Sequence, residues 1–114
     1  MAKIDHAAIR CRNYEGAKRF FEYVFEMNMW REIGEKPERK CWYREGIQLC
    51  EQEEIRIGED NGYDHISIAV EDIPGTMAKA EEYGAKRIND HWFFLQDGAR
   101  IELKPLSEWK LGDC

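Results

Sequence analysis

The sequence has no long hydrophobic run, no paired C-x-x-C spacing and no stripe of basic residues, and each absence closes off a class of protein. No stretch approaches the roughly 18 to 20 consecutive apolar residues that a membrane span requires. The opening MAKIDHAAIRC lacks the apolar centre of a secretory leader, and the two absences together predict a cytoplasmic protein. The 17 Lys and Arg are outnumbered by 23 Asp and Glu, for a net charge of −6. Scattered basic residues on an acidic chain argue against nucleic acid as a partner. The four cysteines, Cys11, Cys41, Cys50 and Cys114, lack the spacing of a zinc site. A chain of 114 residues forms one domain with a core of its own and does not need disulfide staples, so reduced, partly buried thiols are expected.

What is present is a repetition. Residues 3–27, KIDHAAIRCRNYEGAKRFFEYVFEM, lie without a gap against residues 62–86, GYDHISIAVEDIPGTMAKAEEYGAK. Asp5 and His6 meet Asp64 and His65, Ile9 meets Ile68, and Gly16 meets Gly75. The copies also end alike, since Gly46-Ile47-Gln48-Leu49 resembles Gly98-Ala99-Arg100-Ile101-Glu102-Leu103, with a shorter middle in the second copy. Self-similarity of this kind marks one supersecondary unit used twice.

Each copy opens on a strand with alternating apolar residues, Ala7, Ile9 and Cys11 in the first and Ile66, Ile68 and Val70 in the second. A helix follows each strand. Asn13 can cap the first, in which Tyr14, Ala17, Phe20, Phe21, Val24 and Phe25 recur at helical spacing and are expected in the core. Asp72 can cap the second, with Pro74 in its first turn and Gly84 placed to end it. Strands are predicted over 29–33, 40–44 and 47–52, then over 86–89, 92–96 and 100–105, with Glu45-Gly46 and Asp97-Gly98 as the turns before the closing strands. The predicted class is α+β, two βαβββ modules forming a cupped mixed sheet: module one at 1–52, a polar link at 53–61, module two at 62–106 and a tail at 107–114.

Neighbouring strand residues point to opposite faces, so the apolar set Ala7, Ile9 and Cys11 forces His6 to the side away from the helix. The same parity places His65 there. In the closing strands Ile47 and Leu49 leave Gln48 on that side, and Ile101 and Leu103 leave Glu102. A solvated sheet face carries polar residues by default. Chance polarity, however, does not place two histidines at matching positions with an amide and a carboxylate on the closing strands. Imidazole nitrogen with carboxylate and amide oxygen suits a divalent first-row metal, and a shared metal site is the reading adopted. His91, before Trp92, has no counterpart in the first copy and is expected to be exposed. Parity cannot be carried across the hairpins, so which of Trp30, Trp42, Tyr43, Trp92 and Phe94 face the cup stays open.

The segments I-D-H near the start, D-H-I-S-I-A-V at mid-chain and D-G-A-R-I-E-L near the end resemble the vicinal oxygen chelate superfamily over residues 3–105. The resemblance implies the glyoxalase-like fold and assigns His6, Gln48, His65 and Glu102 to the superfamily's four ligand positions for a divalent ion (Ni, Zn, Co, Mn or Fe). The set His, Gln, His, Glu and the opening IDHAAIRC resemble methylmalonyl-CoA epimerase, whereas bacterial glyoxalase I carries a glutamate where Gln48 stands. Tyr43 falls where the epimerase has a catalytic glutamate. The function so implied is that of a lyase or isomerase acting on a small carbonyl or thioester substrate through a metal-stabilised enediolate, with Glu102 as the base. Two alternatives carry other chemistry. One is an Fe(II) extradiol-type dioxygenase using His6, His65 and Glu102 as a facial triad. The other is a drug-binding, bleomycin resistance-like protein, for which the acidic charge and four tryptophans are suited. The superfamily also implies assembly: its modules close on each other within a chain or across two chains, and a two-fold homodimer is expected.

Overall fold

The computed structural model describes residues 2–56 and 62–109. It is a mixed α+β structure with eight strands and two α-helices among the described residues. The chain runs β1 (Lys3–Cys11), α1 (Tyr14–Val24), β2 (Met29–Ile33), β3 (Lys40–Tyr43), β4 (Ile47–Glu51), then β5 (Tyr63–Val70), α2 (Ile73–Glu82), β6 (Lys86–Arg87), β7 (Trp92–Phe94) and β8 (Arg100–Pro105). Residues 53–56 of the expected link carry no regular element, and its remainder, with Cys114 and the end of the tail, lies outside the described residues. None of the described helices is long and apolar enough to cross a membrane.

The chain divides into two compact units, one of residues 6–64 and one of residues 1–5 with 65–114. In the first, β4 runs parallel to β1, and β3 and β2 add antiparallel strands beyond it. The second repeats the arrangement with β8 parallel to β5 and β7 and β6 antiparallel beyond. A parallel pair requires a crossover, which α1 and α2 supply, whereas the antiparallel neighbours need only hairpins. Residues 2–5 join the second unit through a contact of Lys104 with Asp5 at 3.5 Å and a bond donated by Trp109 Nε1 to the Ile4 carbonyl at 3.1 Å.

Both helices start as their sequences predict. The Asn13 side chain accepts from the Gly16 amide and the Asp72 side chain from the Gly75 amide, each at 3.0 Å, satisfying a donor that the first helical turn leaves open. The match of Gly16 with Gly75 has a steric cause: a Cβ at either position would run into the capping side chain. Gly46 and Gly98 take positive φ of 104° and 97° in the turns before β4 and β8, a conformation that glycine adopts without strain.

Each helix covers one face of its own strands. In the first unit Tyr14, Cys41, Tyr43 and Leu49 are buried together, with Ile9, Ala17, Phe21 and Ile47 packed against them. In the second, Met77 of α2 sits among Val70, Phe93, Ile101 and Leu103. The α1 stripe is narrower than the sequence suggested. Phe20 is 50% exposed and Phe25 56%, and Val24 is also exposed. Tyr14, Ala17 and Phe21 define the buried line, and Phe20 lies about 100° around the helix from Phe21. Phe25 falls past the last helical turn. The displaced rings pack on the stripe's flank, with Phe20 edge-on to Phe21 at 5.4 Å and to Phe25 at 5.7 Å between centroids.

The short strands β6 and β7 end earlier than predicted. The Asn89 side chain accepts from the amides of His91 and Trp92 at 2.8 and 2.9 Å, which closes the hairpin with side-chain bonds in place of further ladder. His91 is exposed as expected, with Nδ1 3.2 Å from the Leu103 carbonyl. Cys11, Cys41 and Cys50 are free thiols. Burial pushes Cys11 up to about 11 and Cys50 up to about 12, so both stay protonated and unreactive at neutral pH.

The end of β4 is fastened by an ion pair. Glu51, its side chain 4% exposed, accepts from Arg39 Nε at 2.8 Å and Nη2 at 2.9 Å. These bonds from Arg39 hold the Glu51 carboxyl at about 2, far below the ordinary glutamate range. A depressed folded-state pKa stabilises the fold above the unfolded value, and that contribution is lost as pH falls through the folded value. Glu51→Gln is therefore expected to lower the melting temperature at pH 7 and to converge with the parent as the pH falls from about 4.5 to about 2. Parallel melting curves across that range would show that the pair does not contribute.

Candidate metal centre

The face of each half opposite its helix carries the polar residues singled out from the sequence. In the first unit, Gln48 alternates with the buried-side residues Ile47 and Leu49 and is the register partner of Ala8, two residues beyond His6. His6 and Gln48 thus share a face, and both are buried. In the second unit, Glu102 alternates with Ile101 and Leu103 and is the register partner of Ser67, two residues beyond His65. His65 Nε2 lies 3.5 Å from Glu102 Oε1. The two halves repeat one geometry, an imidazole on the opening strand followed two residues later by the register partner of an oxygen donor.

Pairing resolves the aromatics. Trp42 is the register partner of Gln48 and Trp92 of Glu102, so both indoles belong to the face of the polar residues, as does Phe94 opposite Arg100. The Trp92 ring meets the His65 imidazole edge-on at 4.7 Å, which fixes the plane of the imidazole. Arginines lie over the two indoles, Arg31 on Trp42 at 5.1 Å and Arg100 on Trp92 at 4.9 Å. Tyr43 takes the other face. Its ring is buried beside Phe21, and its hydroxyl donates to Glu22 Oε2 at 2.8 Å. Its phenol is held strongly protonated, first by burial and then by that bond.

Among the described residues, the second unit pairs the His65 imidazole with the Glu102 carboxylate, and the first unit sets the His6 imidazole on the same face as the Gln48 amide. Gln48 adds a specific observation. It is 3% exposed, yet its Oε1 finds no hydrogen-bond partner among the described residues. The Ser67 hydroxyl, on a residue with 0% exposure, is in the same condition. Leaving such a group unpaired costs about 1 to 3 kcal/mol, so the Gln48 oxygen and the Ser67 hydroxyl each call for a reason. An amide oxygen free to accept, together with imidazole nitrogen and carboxylate, is a donor set that fits a divalent first-row ion. Ser67 is not among the residues that the repeat and strand parity single out. The signal was available, since 65 and 67 share parity and the first copy has alanine at the matching position.

No family description and no curated protein matches the chain. Solved structures do. A methylmalonyl-CoA epimerase in complex with methylmalonyl-CoA and NH4+ superposes with a TM-score of 0.71 at 16% identity, over 96% of this chain and 98% of that one. The chain has the glyoxalase-like fold. A variant of the Streptomyces coelicolor methylmalonyl-CoA epimerase in complex with 2-nitronate-propionyl-CoA gives a TM-score of 0.69 at 17% identity, covering 95% of this chain and 96% of that one. A hypothetical protein from Bacillus halodurans gives 0.69 at 21% identity, over 90% and 92% of the two chains. The glyoxalase-like architecture thus extends over nearly the whole chain.

Proposed function

We propose that this protein is a metal-dependent lyase or isomerase of the glyoxalase type, acting on a small carbonyl or thioester substrate, with His6, Gln48, His65 and Glu102 as ligands and Glu102 as the base. The observation that carries this reading is the repeated strand geometry, in which each half presents an imidazole and an oxygen donor on one face, with the buried Gln48 oxygen left free to accept. A divalent ion held there supplies Lewis acidity toward vicinal substrate oxygens and so raises the acidity of the adjacent C–H bond.

The chain's own groups supply the rest. Glu102 is the carboxylate beside His65 that can take a proton from the substrate carbon. Trp92, edge-on to His65, keeps that imidazole in one orientation. Tyr43 takes no part in proton transfer, since its hydroxyl is turned toward α1 and engaged by Glu22. A thioester substrate is favoured because structures of the same fold hold methylmalonyl-CoA and 2-nitronate-propionyl-CoA. We further propose a two-fold homodimer, the commonest symmetric assembly, for which light scattering should give twice the chain mass.

The test is solvent exchange. Protein loaded in turn with Ni(II), Co(II), Mn(II) and Zn(II) is incubated in D2O with methylmalonyl-CoA, or with the hemithioacetal of methylglyoxal and glutathione. Deuterium at the substrate carbon is followed by NMR. Metal-dependent exchange in one of the substrates is expected. Absence of exchange in both, with no metal bound more tightly than millimolar, would sink the proposal.

A further inference from the structure

We propose that Ser67 is a positioning residue for Glu102, its hydroxyl donating a hydrogen bond to the carboxylate when Glu102 serves as a metal ligand. The inference rests on the metal-site reading above and deepens it. Ser67 and Glu102 are register partners on the parallel strands β5 and β8 and lie on the same face. The Ser67 side chain is fully buried and its hydroxyl has no partner among the described residues. A carboxylate offers about four acceptor sites on two oxygens. Glu102 Oε1 lies 3.5 Å from His65 Nε2.

The internal repeat provides a comparison within one molecule. The position matching Ser67 is Ala8, the register partner of Gln48, and it is buried to the same degree at 2% exposure. The fold thus accepts alanine in this slot, and the hydroxyl is not required by packing. It occurs beside the charged donor and is absent beside the neutral amide. A carboxylate gains more than an amide from a neighbouring O–H, because hydrogen bonds to an ionised acceptor are roughly twice as strong as neutral ones. Ligating carboxylates are ordinarily held by such outer partners, whose removal typically lowers metal affinity or activity by about 10 to 100-fold.

The experiment uses Co(II) as the probe, with affinity read by calorimetry and the ligand field by the visible absorption of the Co(II) protein. Ser67→Ala is expected to weaken Co(II) binding by about tenfold or more and to shift the absorption bands. The melting temperature of the metal-free protein should stay the same, as the Ala8 slot implies. In a Glu102→Gln background the effect of Ser67→Ala should shrink to within about threefold, because the hydroxyl would then face a neutral acceptor. Equal Co(II) affinity in the parent and Ser67→Ala overturns the proposal and leaves the metal site standing. An undiminished effect in the Glu102→Gln background, or a drop of several degrees in metal-free melting, also overturns it by assigning Ser67 to another partner or to the fold. Failure of the parent protein to bind Co(II) removes both the proposal and the metal reading beneath it.

Discussion

Glu102→Gln is expected to lower the rate of substrate deuterium exchange by about 10² to 10⁴-fold, the range that a positioned general base contributes, while metal still binds at saturating concentration. The variant separates the two roles proposed for one carboxylate. A glutamine retains a side-chain oxygen on the same stem but cannot accept a proton at neutral pH. The matching position on β4 carries an amide, Gln48, whose side chain is buried. The measurement pairs calorimetric titration with single-turnover exchange in D2O. Exchange at the parental rate would remove Glu102 as the base, and with Tyr43 facing α1 the proton would have to pass to water or to a residue on the middle strands. Loss of metal binding in the variant would make the charge, rather than the oxygen, its main contribution.

What could be read from the sequence depended on how local the determining physics was. Strand parity is set by adjacent residues, so the faces of His6, Gln48, His65 and Glu102 followed directly from the apolar residues beside them. The helix starts were equally local, because Asn13 and Asp72 each act on an amide three residues away. The middle strands were less legible. Their facing depends on turn length and register, and the ladder between β2 and β3 shifts between Met29 and Arg31, an irregularity that no alternation rule anticipates. For that reason Trp42 and Tyr43 could be assigned to faces only once the pairing of Trp42 with Gln48 was known. The aromatic stripe of α1 was read too broadly for a related reason. Helical spacing gives the direction of the apolar face but not its width, which is set by how much of the helix the four strands of its unit can cover. Ser67 was overlooked because one hydroxyl in an apolar strand is unremarkable until its lack of a partner is seen.

Replacing His65 by alanine is expected to abolish the stabilisation that metal confers. A ligand at 100 times its dissociation constant stabilises a fold by about 2.7 kcal/mol. For a domain of this size each kcal/mol moves the midpoint by roughly 4 to 8 °C, so the saturated parent should melt on the order of 10 °C higher than its metal-free form. His65 is buried, faces Glu102 at 3.5 Å and is oriented by Trp92, so its imidazole has little freedom to be replaced by a neighbouring donor. Its removal should cost more than the roughly 10 to 100-fold that loss of an outer partner costs, leaving no shift at the same metal concentration. His91→Ala is the matched control. It removes an exposed imidazole whose Nδ1 lies against the Leu103 carbonyl, and it should preserve the full shift. Scanning calorimetry with and without Ni(II) or Co(II) reads both variants directly. A shift that survives in His65→Ala but disappears in His91→Ala would place the ion at a surface histidine and exclude His65 as a ligand.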